Sequence, residues 1–118
     1  MKRFIFHFPL SIFNLPAESS NITVLRKRVS RAPREPGVYR WLDAEGNVLY
    51  VGKAKNLKKR MQTYVQAARK CSPWTEIMVS QIADFDVTVV RSELEAFILE
   101  SNLIKKLKPK YNIMLKDD

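Results

Sequence analysis

Hydrophobic spacing in the middle of the chain changes period several times, and each change marks an element. Val38-Tyr39-Arg40-Trp41-Leu42 and Val48-Leu49-Tyr50-Val51 are β-branched and aromatic runs separated by Asp43-Ala44-Glu45-Gly46-Asn47. That pattern predicts a hairpin, with Gly46 free to take a positive φ. A four-residue loop at 43–46 pairs Leu42 with Asn47 and sets Tyr39 directly opposite Tyr50. A three-residue loop at 44–46 would place the two tyrosines on opposite faces. The strand is expected to end at Gly52, and beyond it the period becomes helical: Leu57, Met61, Tyr64, Val65 and Ala68 form one stripe, with Lys58 and Lys59 pointing away. Pro73 opens a shorter helix whose expected buried side is Trp74, Ile77, Met78 and Ile82. Residues 85–91 read as a third strand. Ser92-Glu93-Leu94-Glu95 is a capping box, and its helix runs to about Leu107, before Pro109. Upstream, residues 22–31 predict a short basic helix ahead of Pro33 and a turn at Pro36-Gly37.

The resulting order, ββααβα, is that of an α+β domain: a small three-stranded antiparallel sheet flanked by helices. We place this domain at residues 22–118. Residues 1–21 read as an N-terminal arm of unknown role: Lys2 and Arg3 precede an apolar stretch, but His7, Pro9 and Asn14 interrupt it and no small-x-small cleavage site follows. No apolar run reaches the ~18–20 residues of a membrane span. With one cysteine (Cys71) and one histidine (His7), an internal disulfide and a Cys/His zinc site are both excluded. That composition fits a reducing, cytoplasmic setting and leaves any metal to oxygen ligands.

Charge is unevenly placed. The net +9 splits into +11 over residues 1–70 and −2 over residues 71–118. A concentrated positive field points to a polyanionic partner, against the plainer reading of a solvated basic face. Within the basic half, Lys53, Lys55, Lys58, Lys59 and Arg60 read as one phosphate-tracking wall at the strand end. Lys105, Lys106, Lys108 and Lys110 form a second cluster, for which complementing a helix C-terminus is sufficient explanation.

Glu100 stands out in the acidic half. Its neighbours at i±3 and i±4 are Ala96, Phe97, Leu103 and Ile104, all apolar. A carboxylate there is costly unless paired, hydrogen-bonded or bound to a metal. A structural ion pair with a lysine or arginine is the competing explanation. Arg60 and Tyr64, one turn apart, share a helix face beside the stripe.

Gly37-Val38-Tyr39, then Tyr50-Val51-Gly52-Lys53-Ala54 with Asn56-Leu57 and Arg60, then Glu100 and Pro109-Lys110-Tyr111-Asn112, resemble the GIY-YIG endonuclease family. The resemblance spans residues from about 25 to 118, with Val in place of Ile in both signatures. It implies a divalent-metal-dependent DNA endonuclease of the kind that makes the 3′ incision in nucleotide excision repair. The implied partners are DNA and other excision-repair proteins, with neither a membrane nor a small-molecule cofactor. By the same resemblance Glu100 is the lone protein ligand to one Mg2+ or Mn2+ ion. Tyr50 deprotonates or positions the attacking water, with Lys53 as the cation that helps it. Arg60 holds the scissile phosphate, Tyr39 and Tyr64 orient water and phosphate, Asn112 fixes the local network and Gly52 keeps the strand end open. Two other classes remain open: a basic module that binds DNA without cutting it, or a fragment that needs a partner for activity; and a protein-interaction module using Phe4, Phe6, Phe8 and Phe13.

Overall fold

A computed structural model of the chain describes residues 4–7, 20–66 and 72–115. Its elements are β1 (Phe4–His7), α1 (Ser20–Val29), β2 (Gly37–Leu42), β3 (Val48–Ala54), α2 (Leu57–Val65), α3 (Pro73–Gln81), β4 (Asp84–Val89), α4 (Glu93–Leu107) and α5 (Lys110–Met114). The three expected strands form a contiguous antiparallel sheet with β2 in its centre. Residues 4–7, read from sequence as part of an arm, add a fourth strand outside β4, giving the order β1-β4-β2-β3. Phe8, Phe13, Ala68 and Cys71 lie outside the described residues.

Strand alternation divides the core in two. Tyr39, Trp41, Phe85, Val87 and Val89 face α1, α2, α3 and α5 in the larger cluster. Val38, Val51 and Val90 face Ala96, Leu99, Leu103 and Ile104 of α4 in the smaller one. Polar hydrogen bonds fix where the helices begin. Asn56 accepts from the Lys59 amide at 3.0 Å, Ser72 from Thr75 at 3.2 Å and Ser92 from Glu95 at 3.2 Å. The Glu95 carboxylate reaches back one residue beyond the cap, accepting from the Arg91 amide at 2.7 Å. α4 stops at Lys108, whose φ is +46°, ahead of Pro109.

Three local expectations are corrected. In the hairpin, Tyr39 pairs with Gly52 and Trp41 with Tyr50, so the register is displaced by two residues from the expected one. Asp43 is the cause: its amide donates to the Asn47 carbonyl at 3.0 Å and its side chain accepts from the Glu45 and Asn47 amides at 2.9 Å each. Asn47 is thus held inside a longer loop, Gly46 turns at φ +86°, and the ladder shifts between Trp41 and Leu42. A shift of two preserves faces, so Tyr39 and Tyr50 still share one, as diagonal neighbours. On α3, Trp74 and Ile77 are exposed while Thr75, Met78 and Val79 are buried. Much of this helix is apolar, so its pattern fixes no side, and the Thr75 hydroxyl is satisfied by Ser72 Oγ at 3.0 Å. Finally, β3 does not end at Gly52 but continues through Ala54.

Candidate active site

Four elements converge around β3, the strand at one edge of the sheet. β2 contributes Tyr39, β3 contributes Tyr50, Gly52 and Lys53, and α2 contributes Arg60 and Tyr64; α4 supplies Glu100, and α5 adds Asn112. The three tyrosines form a cluster with ring centroids 5.9 Å (Tyr39–Tyr64), 6.2 Å (Tyr39–Tyr50) and 6.3 Å (Tyr50–Tyr64) apart. The Tyr39 and Tyr64 hydroxyls lie 3.0 Å apart in a hydrogen bond. Arg60 covers the cluster, its guanidinium carbon 5.4 Å from the Tyr64 ring centroid.

Gly52 has a steric rather than an end-of-strand role. A Cβ there would overlap the phenol ring of Tyr39, so only glycine lets that ring cross β3. Sequence reasoning missed Trp41 altogether. This fully buried indole is the cross-strand partner of Tyr50 and makes edge contacts with Tyr39 at 5.8 Å and Tyr64 at 5.5 Å. Its Nε1 has no hydrogen-bond partner among the described residues. Its place two residues from Tyr39, on the same strand face, was the available signal.

Electrostatics separate the tyrosines. Burial raises the Tyr39 pKa well above the ordinary phenol range, and the neighbouring Tyr64 and Tyr50 push it further. Burial also raises Tyr50, with Tyr64 adding to it, while Arg60 pulls the other way. Arg60 is thus a cation whose charge opposes the rise at Tyr50. Burial works against the charge of Arg60 itself, but the Tyr39, Tyr64 and Tyr50 phenols more than offset it and hold its pKa above the usual value. Lys53 faces Glu100. Desolvation raises the Glu100 pKa above its ordinary 4.5, and the Lys53 ammonium and backbone amide partly oppose this.

Glu100 is half-buried, packed on its inner side beside Ala96, while Phe97 turns outward and is 54% exposed. Among the described residues no cation comes within ion-pair distance of its carboxylate, the two bridges being Arg28–Asp84 at 3.4 Å and Lys55–Glu93 at 3.7 Å. No group of three metal-ligating side chains forms among those residues either. One turn before Glu100, a cleft of about 200 Å³ opens between Lys53, Ala54, Lys55, Glu93 and Ala96. A partly desolvated carboxylate with no ion-pair partner among the described residues suits a hard divalent cation that keeps most of its waters.

Asn112 completes the arrangement. Its Oδ1 accepts from the Val51 amide at 2.8 Å and its Nδ2 donates to the Val51 carbonyl at 2.9 Å. The side chain thus pairs with the outer edge of β3 between Tyr50 and Gly52. The five cations of the expected basic wall have different immediate neighbours. Lys53 and Lys55 lie at the end of β3, Arg60 lies over the tyrosines, and Lys58 and Lys59 line a separate cleft with Arg34.

Residues 35–113 match the UvrC-like GIY-YIG domain family. The chain is 50% identical over 95 residues to the UvrABC system protein C of Syntrophomonas wolfei, covering 80% of this chain and 16% of that protein. It is 46% identical over 112 residues to the same protein of Desulfitobacterium hafniense, covering 95% of this chain and 18% of the relative. The chain therefore spans less than a fifth of the length of these curated relatives. Among solved structures, the GIY-YIG N-terminal endonuclease domain of UvrC from Thermotoga maritima, bound to magnesium as its catalytic divalent cation, superposes with a TM-score of 0.67 at 40% identity. That match covers 75% of this chain and 96% of the solved domain. A tyrosine-to-phenylalanine variant of the same domain, also bound to its catalytic divalent cation, matches with a TM-score of 0.67 at 39% identity, over 75% of this chain and 94% of the solved one. The four-stranded fold carries the GIY-YIG endonuclease domain on its β2–β3–β4 core, and the chain belongs to the UvrC-like branch of the GIY-YIG family.

Proposed function

We propose that this chain hydrolyses a phosphodiester bond in DNA with one Mg2+ or Mn2+ ion held at Glu100, as the 3′-incision nuclease of an excision-repair system. The observation that carries the reading is the convergence of Arg60 and the tyrosine cluster, on one side of β3, with a half-buried Glu100 that has no ion-pair partner among the described residues. A bound divalent cation supplies Lewis-acid charge at the phosphate. The chain's own residues do the rest.

Arg60 donates to the non-bridging oxygens of the scissile phosphate and stabilises the charge that grows there. Tyr50 is the least buried of the three tyrosines, and its phenol oxygen accepts from the attacking water and aims it. Because Tyr50 stays protonated at neutral pH, it orients the water through its phenol oxygen, and the proton that the water loses on attack passes to solvent. Tyr39 is 1% exposed, so it acts through Tyr64 as a positioning residue rather than touching substrate. Lys53 steadies the Glu100 carboxylate, and Lys55 extends the positive edge toward the DNA. Gly52 and Asn112 hold β3 where Tyr50 meets the substrate. The relatives are UvrABC system proteins, which supports DNA and the other components of such a system as partners. Among the described residues no helix is long and apolar enough to cross a membrane.

Nicking of supercoiled plasmid by the purified chain tests the reading. Cutting that requires Mg2+ or Mn2+ and is abolished by Glu100→Ala supports it. Cutting that survives Glu100→Ala overturns the assignment of the metal ligand. Salt-sensitive DNA binding without cutting, under every metal tried, would favour a non-catalytic module.

A further inference from the structure

The five cations that sequence groups together have different neighbours. Lys55 lies 3.7 Å from Glu93, Lys53 faces Glu100, and Arg60 sits over Tyr64. Lys58 and Lys59 are elsewhere. Successive α-helical residues are about 100° apart, so Lys58, Lys59 and Gln62 project from the flank of α2 turned away from Arg60 and Tyr64. There they meet Arg34, and the cleft between them, about 130 Å³, is lined by Arg34, Asn56, Lys58, Lys59 and Gln62. No acidic side chain lines it, and none of the three cations is in an ion pair among the described residues. Three uncompensated positive charges around one cleft repel each other until an anion enters.

The cleft is also built. The Leu57 amide donates to the Glu35 carbonyl and the Lys58 amide to the Pro33 carbonyl, both at 3.0 Å. These bonds flank Arg34 on both sides and pin its backbone over the first turn of α2. The Lys59 amide is taken by Asn56 Oδ1. With the first-turn amides engaged, the cleft offers an anion side-chain charge rather than helix-end N–H groups. Its volume is well below the ~300–1,000 Å³ of a small-molecule pocket, and suits one anionic group.

We propose that Arg34, Lys58 and Lys59 form a second phosphate seat, which binds a backbone phosphate of the DNA other than the one that is cut. The inference rests on the nuclease reading and deepens it. The DNA strand is gripped at two points on opposite flanks of α2: at Arg60, where it is cut, and at this seat, which sets its register.

The test is binding of a fluorescent 30-base-pair duplex to the full chain without divalent metal, followed by anisotropy as KCl is raised. In the Arg34→Ala/Lys58→Ala/Lys59→Ala variant, the slope of log K against log salt should fall in magnitude by about one, the release attached to one phosphate contact. Affinity at low salt should drop about tenfold or more. Alanine keeps the helix, and the Asn56 side chain caps the main-chain amide of residue 59, which the substitution leaves in place, so circular dichroism should be unchanged. Lys27→Ala/Lys105→Ala/Lys106→Ala removes the same formal charge from exposed positions outside the cleft and should shift the slope less than half as much. An unchanged slope in the first variant, or an equal loss in the second, overturns the seat. Metal-dependent nicking abolished by Glu100→Ala alongside an unchanged slope removes the seat alone. The expected slope change with nicking that ignores Glu100 removes the catalytic reading and keeps the seat.

Discussion

The side-chain amide of Asn112 forms a two-bond bridge with the main chain of Val51, at 2.8 Å and 2.9 Å, from a five-residue helix to the outer edge of β3. It mimics a neighbouring strand at the one residue between Tyr50 and Gly52. Asn112→Ala leaves that edge unpaired. We expect a loss of about 1–3 kcal/mol in urea denaturation and a fall of about tenfold or more in nicking rate, with DNA affinity little changed. Activity that survives intact would show that Tyr50 does not depend on this bridge.

Gly52→Ala drives a methyl group into the Tyr39 ring. Tyr39 cannot retreat easily, because it is packed by Trp41 and Tyr64 at 5.8 Å and 5.9 Å. The expected cost is about 1–3 kcal/mol, read as a lower urea midpoint at unchanged m-value. An unchanged midpoint would mean that the ring does not cross the glycine in solution.

Glu100 gives a pH-dependent prediction. Its native pKa is raised, chiefly by desolvation, so its favourable contribution to stability is complete below the ordinary 4.5 and is lost as pH rises through the raised native value. At pH 7 the ionised carboxylate is therefore a liability. Glu100→Gln should raise the melting temperature at pH 7 by about 1–3 °C, a figure reduced for solvent screening, and the gain should fade toward pH 4. Added Mg2+ should stabilise the wild type and not the variant, because only the former binds it in the native state. Equal Mg2+ stabilisation of both proteins would place the metal elsewhere.

Arg60→Lys keeps the charge and loses the planar fork that lies over Tyr64. The expected outcome is a drop of about a hundredfold in kcat with DNA affinity within about threefold of wild type. A kcat near wild type would reduce Arg60 to a general electrostatic role.

Much of this was legible in the sequence, for identifiable reasons. The stripe Leu57, Met61, Tyr64 and Val65 is buried as its spacing requires, and Ser92 caps α4 as the capping box requires. The fourth strand was not legible, because residues 4–7 find their partner in β4, some 80 residues away, and an apolar run carries no record of that. The hairpin register failed at a local cause, the side chain of Asp43, which competes with the ladder for Asn47. α3 failed because much of its surface is apolar.

Within the site, Glu100 was visible as a carboxylate among apolar neighbours, and its lack of an ion-pair partner among the described residues could only come from three dimensions. The reason for Gly52 lay in the ring of a residue on the opposite strand, and the placing of Arg60 near Tyr50 and of Lys53 near Glu100 depends on how the elements pack. Trp41 escaped notice because core aromatics look alike in sequence whether or not they support a site.

The most direct test is a crystal of the chain soaked in Mn2+ and measured for anomalous scattering. The account predicts a single peak about 2 Å from a Glu100 carboxylate oxygen, on the side facing Tyr50 and Arg60, with water completing the shell. A Glu100 carboxylate paired to Lys53 with no ion beside it would contradict the account.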